Sequence, residues 1–398
     1  MSEAAHHTPA KRAAITLSLG LGQTVAFASS FYLMGALGDA VAVDLRISST
    51  AVFAVTSLSL AVQPLLSPAV GRRIDRRGGK PVLLASRLVF AAALALLSVA
   101  QGVGGLAAGM MALGAGMALG TYGTPFAILV SLYGEEARRP ITGVALLGGL
   151  GSAVGWPLTA YLLEQFGWRG ACLAWAGGHL IICLPAAAVM TPRTRGAARD
   201  RKDGARRPVT WDRRMVQLAV IFACAWFIAS ATANHLPRLL VAFGLEPIHA
   251  AGVAGLVGVA AVSVRFAEFT VLRYLPPLVS TRIATSMHPL GAAALALFGA
   301  KAAPLMALGQ GAGNGMLAVA KGVLPLNLYG PDNYAYRSAL LTQPAQLLQI
   351  AGPVVYGLAI AQSPRTAIAL SSALCLVMFA MTFGLQARHD PQKEHAAA

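Results

Sequence analysis

Twelve stretches of predominantly apolar residues run the length of this 398-residue chain. Each approaches or exceeds the ~20 residues that a helix needs to cross a bilayer. They fall near 13–38, 49–70, 81–101, 104–130, 141–164 and 168–190, and after a polar break near 215–242, 248–272, 279–300, 303–328, 335–361 and 364–386. A bilayer core offers the backbone no hydrogen-bonding solvent, so such segments must be helices that satisfy their own amides. The expectation is an all-α integral membrane protein, with twelve transmembrane helices in two six-helix bundles. Composition agrees: 56% of residues are hydrophobic and only 12% charged, about half the charged share of a soluble domain. The basic start "MSEAAHHTPAKR" and the later "ALGDAVA" resemble a signal peptide. The first segment is too long for a signal core and eleven more follow it, so it reads as a helix.

The net charge of +16 raises the possibility of nucleic acid, but the cations cluster in short links and form no continuous basic face. Their distribution reads instead as topology. With the N-terminus inside, Arg46, Arg169, Arg238, Lys301 and Arg365 fall outside, and the remaining 26 of 31 Lys and Arg fall in inner links or at inner helix ends. The positive-inside rule then makes both termini cytoplasmic, in a multi-pass protein of the cell inner membrane. The organisation expected is a bundle over 1–190, a basic cytoplasmic linker over 191–214, and a second bundle with a short tail over 215–398. The linker, with nine Arg or Lys against three Asp, suits contact with anionic membrane lipids. Cys172, Cys183, Cys224 and Cys375 sit in apolar stretches without metal-ligand spacing and read as small buried hydrophobes.

The halves resemble each other. "MALG" at 111–114 recurs at 306–309, and "LYG" at 132–134 recurs at 328–330, both in the fourth segment of a half. Aligning Gly71 with Val264 sets "GRRID" against "VRFAE", with Arg72 on Arg265 and Asp75 on Glu268. Two parallel six-helix repeats are a transporter architecture. The loop "GRRIDRRGG" between the second and third segments resembles the signature Gly-x-x-x-Asp-Arg-x-Gly-Arg of the major facilitator superfamily (MFS). Gly71, Asp75, Arg76 and Gly78 match; Gly79 stands at the final Arg position, with Lys80 one step later. The twelve segments, the central basic linker and "FGWRGA" at 166–171 extend the resemblance over the whole chain. It implies the MFS fold and alternating access, and leaves the substrate open.

By that resemblance, Asp75 and Arg76 tie the second and third helices to the eleventh when the cytoplasmic side is closed, and Gly71 lets neighbouring helices approach. Arg73 and Arg77 read as topology determinants. Arg265 and Glu268, at i and i+3, can pair on one helix face. As intramembrane ionisable residues they are candidates for the gate, and Glu268 also for proton coupling.

The cavity of such a fold lies between the halves. Polar candidates for its wall are Gln23 and Tyr32 on the first helix, Gln63 on the second, Thr121 and Tyr122 on the fourth, Trp226 and Asn234 on the seventh, Gln310 and Asn314 on the tenth, and Gln343, Gln346 and Gln349 on the eleventh. Each buried amide reads equally as a bond between helices. The i, i+3, i+6 spacing of the last three makes a polar edge that suits an aqueous path. Lys321 either snorkels to the interface or puts positive charge in the inner half of the cavity, suited to an anionic group. His235 is a candidate for proton coupling or for an outer gate, because histidine is the side chain suited to a charge switch. The glycines from Gly143 to Gly155 suit close helix packing.

No "GxxxxGK[ST]", "HExxH" or "GxSxG" pattern occurs, which sets aside nucleotide hydrolysis and the commonest hydrolase chemistries. The chain reads as a monomeric, proton-coupled secondary transporter of a small organic anion or amphipathic metabolite, with no cofactor and no enzymatic activity. Efflux of lipophilic, drug-like compounds and uptake of a neutral vitamin-like metabolite are the alternatives.

Overall fold

A computed structural model of the chain describes residues 8–193 and 209–385, so the middle of the basic linker and both chain ends lie outside the described residues. Fifteen α-helices lie within that range, and nine stretches among the described residues are long and apolar enough to cross a membrane. In the first half these are α1 (Pro9–Ala28), α2 (Leu33–Leu45), α3 (Ser49–Arg77), α4 (Gly79–Ser98), α5 (Gly102–Gly120), α6 (Gly123–Tyr133), α7 (Arg138–Gly149), α8 (Gly151–Gly177) and α9 (Leu184–Met190). The second half holds α10 (Arg213–Ala242), α11 (Pro247–Thr270), α12 (Pro277–Phe298), α13 (Ala303–Tyr329), α14 (Tyr334–Gln362) and α15 (Pro364–Met381).

Local chemistry sets the ends. Proline occupies the first or second position of α1, α11, α12, α13 and α15, where its missing N–H costs no helical bond. Ser48, Asp212 and Ser363 accept a hydrogen bond from the first turn of α3, α10 and α15. Gly78, at φ 83°, turns α3 into α4. Gly167, at φ 68° and ψ 174°, breaks α8 into two helical parts. At that bend Trp168 and Arg169 donate to the Asp44 carboxylate, and Arg169 also reaches the Ala100 carbonyl at 3.0 Å, closing one end of the first bundle.

Each bundle has its own apolar interior. Leu37, Phe90, Leu94 and Leu113 lie at the centre of the first, and Phe222, Leu295, Met306 and Tyr356 at that of the second. Val43, Leu65, Ile181, Val189, Leu290 and Leu297 point outward and are exposed. Such large apolar side chains are stable on an outer surface that faces lipid. The face that carries the loop at Gly78 and the end of α9 is called the linker face below.

In lipid, helices associate through close packing of small residues. The run "GQGAGNG" in α13 works in this way on two sides. Methyl groups built at Gly309 and Gly313 would stand 2.6 and 2.7 Å from the Met287 and Ala284 carbonyl oxygens of α12. One at Gly315 would stand 2.7 Å from the Ala261 carbonyl oxygen of α11, and one at Gly311 would overlap Val257. The four glycines draw α11 and α12 onto α13. Gly315→Leu is expected to destabilise the second bundle by about 1–3 kcal/mol through overpacking. A lowered melting temperature of the detergent-solubilised variant checks this.

Candidate functional site

A cavity of about 280 Å³ lies between the bundles, close to the lower size for ligand pockets. Its first-bundle wall comes from the end of α1, from α3, and from the break between α5 and α6 at Thr121 and Tyr122. The opposite wall comes from α10, α11, α13 and α14. Of the expected lining residues, Tyr32, Gln63, Thr121, Tyr122, Trp226, Asn314, Lys321, Gln346 and Gln349 are on it. The Asn234 side chain lies outside the described residues.

Arg265 and Lys321 supply the charge. Arg265 is 9% exposed, and its Nε donates to the Gly315 carbonyl oxygen at 3.4 Å. That bond depends on the close approach of α11 and α13 at a residue without a side chain. A methyl at Gly149 of the first bundle would overlap the guanidinium, so this position too must be small. The Nη atoms take part in no hydrogen bond or ion pair among the described residues. Lys321 Nζ sits 3.9 Å from the centroid of the Trp226 ring, a cation–π contact on the cavity wall. Trp226 Nε1 and Gln346 Oε1 are buried without a hydrogen-bond partner among the described residues. Among the described residues, no Asp or Glu lines the cavity. The second-bundle wall therefore carries two cations and free polar atoms, with no carboxylate to neutralise them.

Toward the linker face, several contacts join the two bundles. Asp75 Oδ1 accepts from the Ala335 N–H at 3.2 Å, and Oδ2 from the Tyr336 N–H at 2.9 Å. These donors lie in the first turn of α14, where backbone N–H groups lack helical partners and the helix end is partly positive. Asp75, on the last turn of α3, thus caps a helix of the other bundle. Gly71, one turn earlier, permits the contact: a methyl there would lie 2.7 Å from the Ala335 carbonyl oxygen. Arg72 adds a 3.3 Å bond to the Tyr336 hydroxyl, and Arg138 Nη2 donates to the Leu275 carbonyl at 2.5 Å. Arg76, expected beside Asp75 in the latch, is exposed and makes none of these contacts.

Several expected placements are corrected. Gln23 is fully buried inside the first bundle, where its Nε2 donates to the Gly120 carbonyl at 2.7 Å. Gln310 lies inside the second bundle between His288 and Thr232, to which its Nε2 donates at 2.9 Å. Gln343 is half-buried and off the cavity wall, so the polar edge of α14 consists of Thr342, Gln346 and Gln349. Arg265 and Glu268 do not pair. Arg265 turns to the cavity, while Glu268 turns to α12 and accepts from Ser280 Oγ at 2.9 Å. His235 donates through Nε2 to the Pro353 carbonyl at 2.8 Å and binds α10 to α14. Neither His235 nor Glu268 lines the cavity. The aromatic first-bundle wall, built on Phe27, Phe31 and Phe126, was missed, because phenylalanines in apolar helices carry no polar signal.

The chain matches the family model described as Major Facilitator Superfamily over residues 19–309. It is 36% identical over 146 residues to Monocarboxylate transporter 11 of Mus musculus, covering 35% of this chain and 31% of that protein. It is also 36% identical over 141 residues to Monocarboxylate transporter 3 of Rattus norvegicus, covering 35% and 28%. The chain thus spans less than a third of the length of these curated relatives. Among solved structures it resembles the human organic anion transporter MFSD10, with a TM-score of 0.74, 15% identity, and 94% of this chain and 100% of that one covered. It also resembles the fucose:proton symporter of E. coli, with a TM-score of 0.76, 14% identity, and coverage of 96% and 99%. At such identities the resemblance concerns the fold.

Proposed function

The chain belongs to the Major Facilitator Superfamily, and on that premise we propose that it is a secondary transporter of a small organic anion working by alternating access. The observation that carries this reading is the pair of cations, Arg265 and Lys321, on a cavity wall that has no carboxylate among the described residues. Two buried, uncompensated charges are costly, and an anionic substrate relieves that cost while gaining charge-assisted hydrogen bonds. A lipophilic cation would meet repulsion at the same place. The names of the monocarboxylate transporters and of the organic anion transporter it resembles support the same substrate class.

The excess of Lys and Arg on the linker face supports a cytoplasmic assignment for that face, in the cell inner membrane. The form described is then closed to the cytoplasm by Asp75 and the first turn of α14, with Gly71 as the close-contact point. For uptake, charge balance supports proton coupling. Moving one negative charge inward against a membrane potential costs about 2.3 kcal/mol per 100 mV, and a co-transported proton cancels that term.

The test is uptake into proteoliposomes of purified protein, using labelled pyruvate and phenylpyruvate under an acid-outside pH gradient. Accumulation that a protonophore abolishes is the expected result. Accumulation of lipophilic cations or neutral metabolites with no carboxylate transported would overturn the anion reading, and carboxylate uptake insensitive to pH would overturn the coupling.

A further inference from the structure

The two walls of the cavity differ in what they leave for a ligand. On the first-bundle wall the polar groups already bond to one another. Gln63 Nε2 donates to Thr121 Oγ1 at 2.8 Å, and Thr121 donates in turn to the Met117 carbonyl at 2.7 Å. Ser67 donates to the Gln63 carbonyl and Thr124 to the Leu119 carbonyl, both at 2.6 Å. The surface left to meet a ligand is aromatic. Phe27 and Tyr122 have ring centroids 4.9 Å apart, and Tyr122 stacks on Phe126 at 5.2 Å with an interplanar angle of 20°. Phe31 and Tyr32 form an edge-on pair at 5.1 Å beside them. All five rings line the cavity. Across from them stand Arg265, Lys321 and the free Trp226 Nε1.

A short aliphatic acid satisfies only one of these walls, because its body leaves the rings facing water. A second carboxylate fares worse, since among the described residues the first-bundle wall carries no cation to meet it. Resting on the anion reading above, we propose that the substrate is an aromatic monocarboxylate, with its carboxylate at Arg265 and Lys321 and its ring against Phe27, Tyr122 and Phe126. Such a ligand touches both bundles at once. Aromatic pairs prefer the offset and tilted geometries that the existing rings already show, so an added ring extends the row without rebuilding it. The ligand then connects the halves that must move together when the cavity changes its open side, whereas an anion held by the second bundle alone would not.

The experiment compares acetate, phenylacetate and succinate as ligands of the purified full chain in nanodiscs by calorimetry. The same titrations use Phe27→Leu and Tyr122→Leu, each first checked for an unchanged elution profile and melting transition. Phenylacetate is expected to bind at least tenfold more tightly than acetate or succinate, and this ratio is expected to fall toward unity in either aromatic variant. Two variants are used because Tyr122 also packs against Gly148, and its loss alone could disturb folding. Acetate or succinate binding as tightly as phenylacetate, or a phenylacetate preference that survives in both folded variants, overturns the aromatic assignment and leaves the anion reading standing. Absence of binding by all three acids overturns the anion reading and this assignment with it.

Discussion

Lys321→Ala is expected to weaken substrate-anion binding by roughly ten- to a hundredfold, the equivalent of about 1.5–3 kcal/mol for a lost charge-assisted contact. The side chain is placed for this role. Nζ lies on the cavity wall against Trp226, and none of the hydrogen bonds or ion pairs among the described residues engages it. The charge is therefore free to meet a ligand. Lys321→Arg should retain part of the affinity, because the charge survives while the planar fork changes the bonding geometry. Arg265→Gln should produce a loss of similar size. The double variant should lose less than the sum, since both cations address one carboxylate and their effects are coupled. Calorimetry with a bound acid measures all four. If Lys321 only packs on Trp226, its alanine variant will melt at a lower temperature and keep its affinity, and the anion reading loses its main support.

The legible and illegible parts of this molecule divide along a physical line. The passes were readable because a bilayer imposes length and hydropathy on every crossing, and the loop at Gly71–Gly78 was readable because charge is rare elsewhere. Helix rotation was not. In water an apolar stripe marks the inner face of a helix, but here lipid and bundle interior are both apolar and the 3.6-residue signal fades. Gln23 and Gln63 look alike in sequence, yet one bonds the Gly120 carbonyl inside its bundle and the other borders the cavity. Gln310 and Gln343 failed as lining residues for the same reason.

Arg265 and Glu268 sit three positions apart and could have paired, but tertiary partners separated them: the Gly315 carbonyl on one side and Ser280 on the other. Some of the hidden packing did have a signal. Pro353 cannot donate to the Gln349 carbonyl one turn earlier, so a polar residue from a neighbouring helix was needed there, and Ser230 Oγ fills the place at 2.7 Å. The alternating glycines of α13 carry a signal of the same kind, although only the glycines from Gly143 to Gly155 drew that reading.

Asp75→Asn is expected to cut transport at least tenfold while leaving insertion and expression largely intact. The carboxylate accepts two backbone N–H bonds at the partly positive start of α14. An asparagine keeps one acceptor, turns an NH2 group toward the second donor, and removes the negative charge that favours the helix end. Losing a cap of this kind costs about 0.5–2 kcal/mol. That cost falls only on the form closed at the linker face, because the contact joins α3 of one bundle to α14 of the other. A change of about 1–2 kcal/mol shifts a two-state balance by roughly 5–30-fold, which moves the population toward the form open on that face. Ser338 lines the cavity on α14 one turn beyond Tyr334 and reports the shift. A cysteine placed there should react faster with an impermeant thiol reagent applied to the linker face when Asp75→Asn is also present. Gly71→Ala tests the same latch without touching charge, since its methyl would press on the Ala335 carbonyl and hold the helices apart. Both variants should shift labelling in one direction. Unchanged labelling together with normal transport in Asp75→Asn would show that the contact caps α14 without controlling access to the cavity.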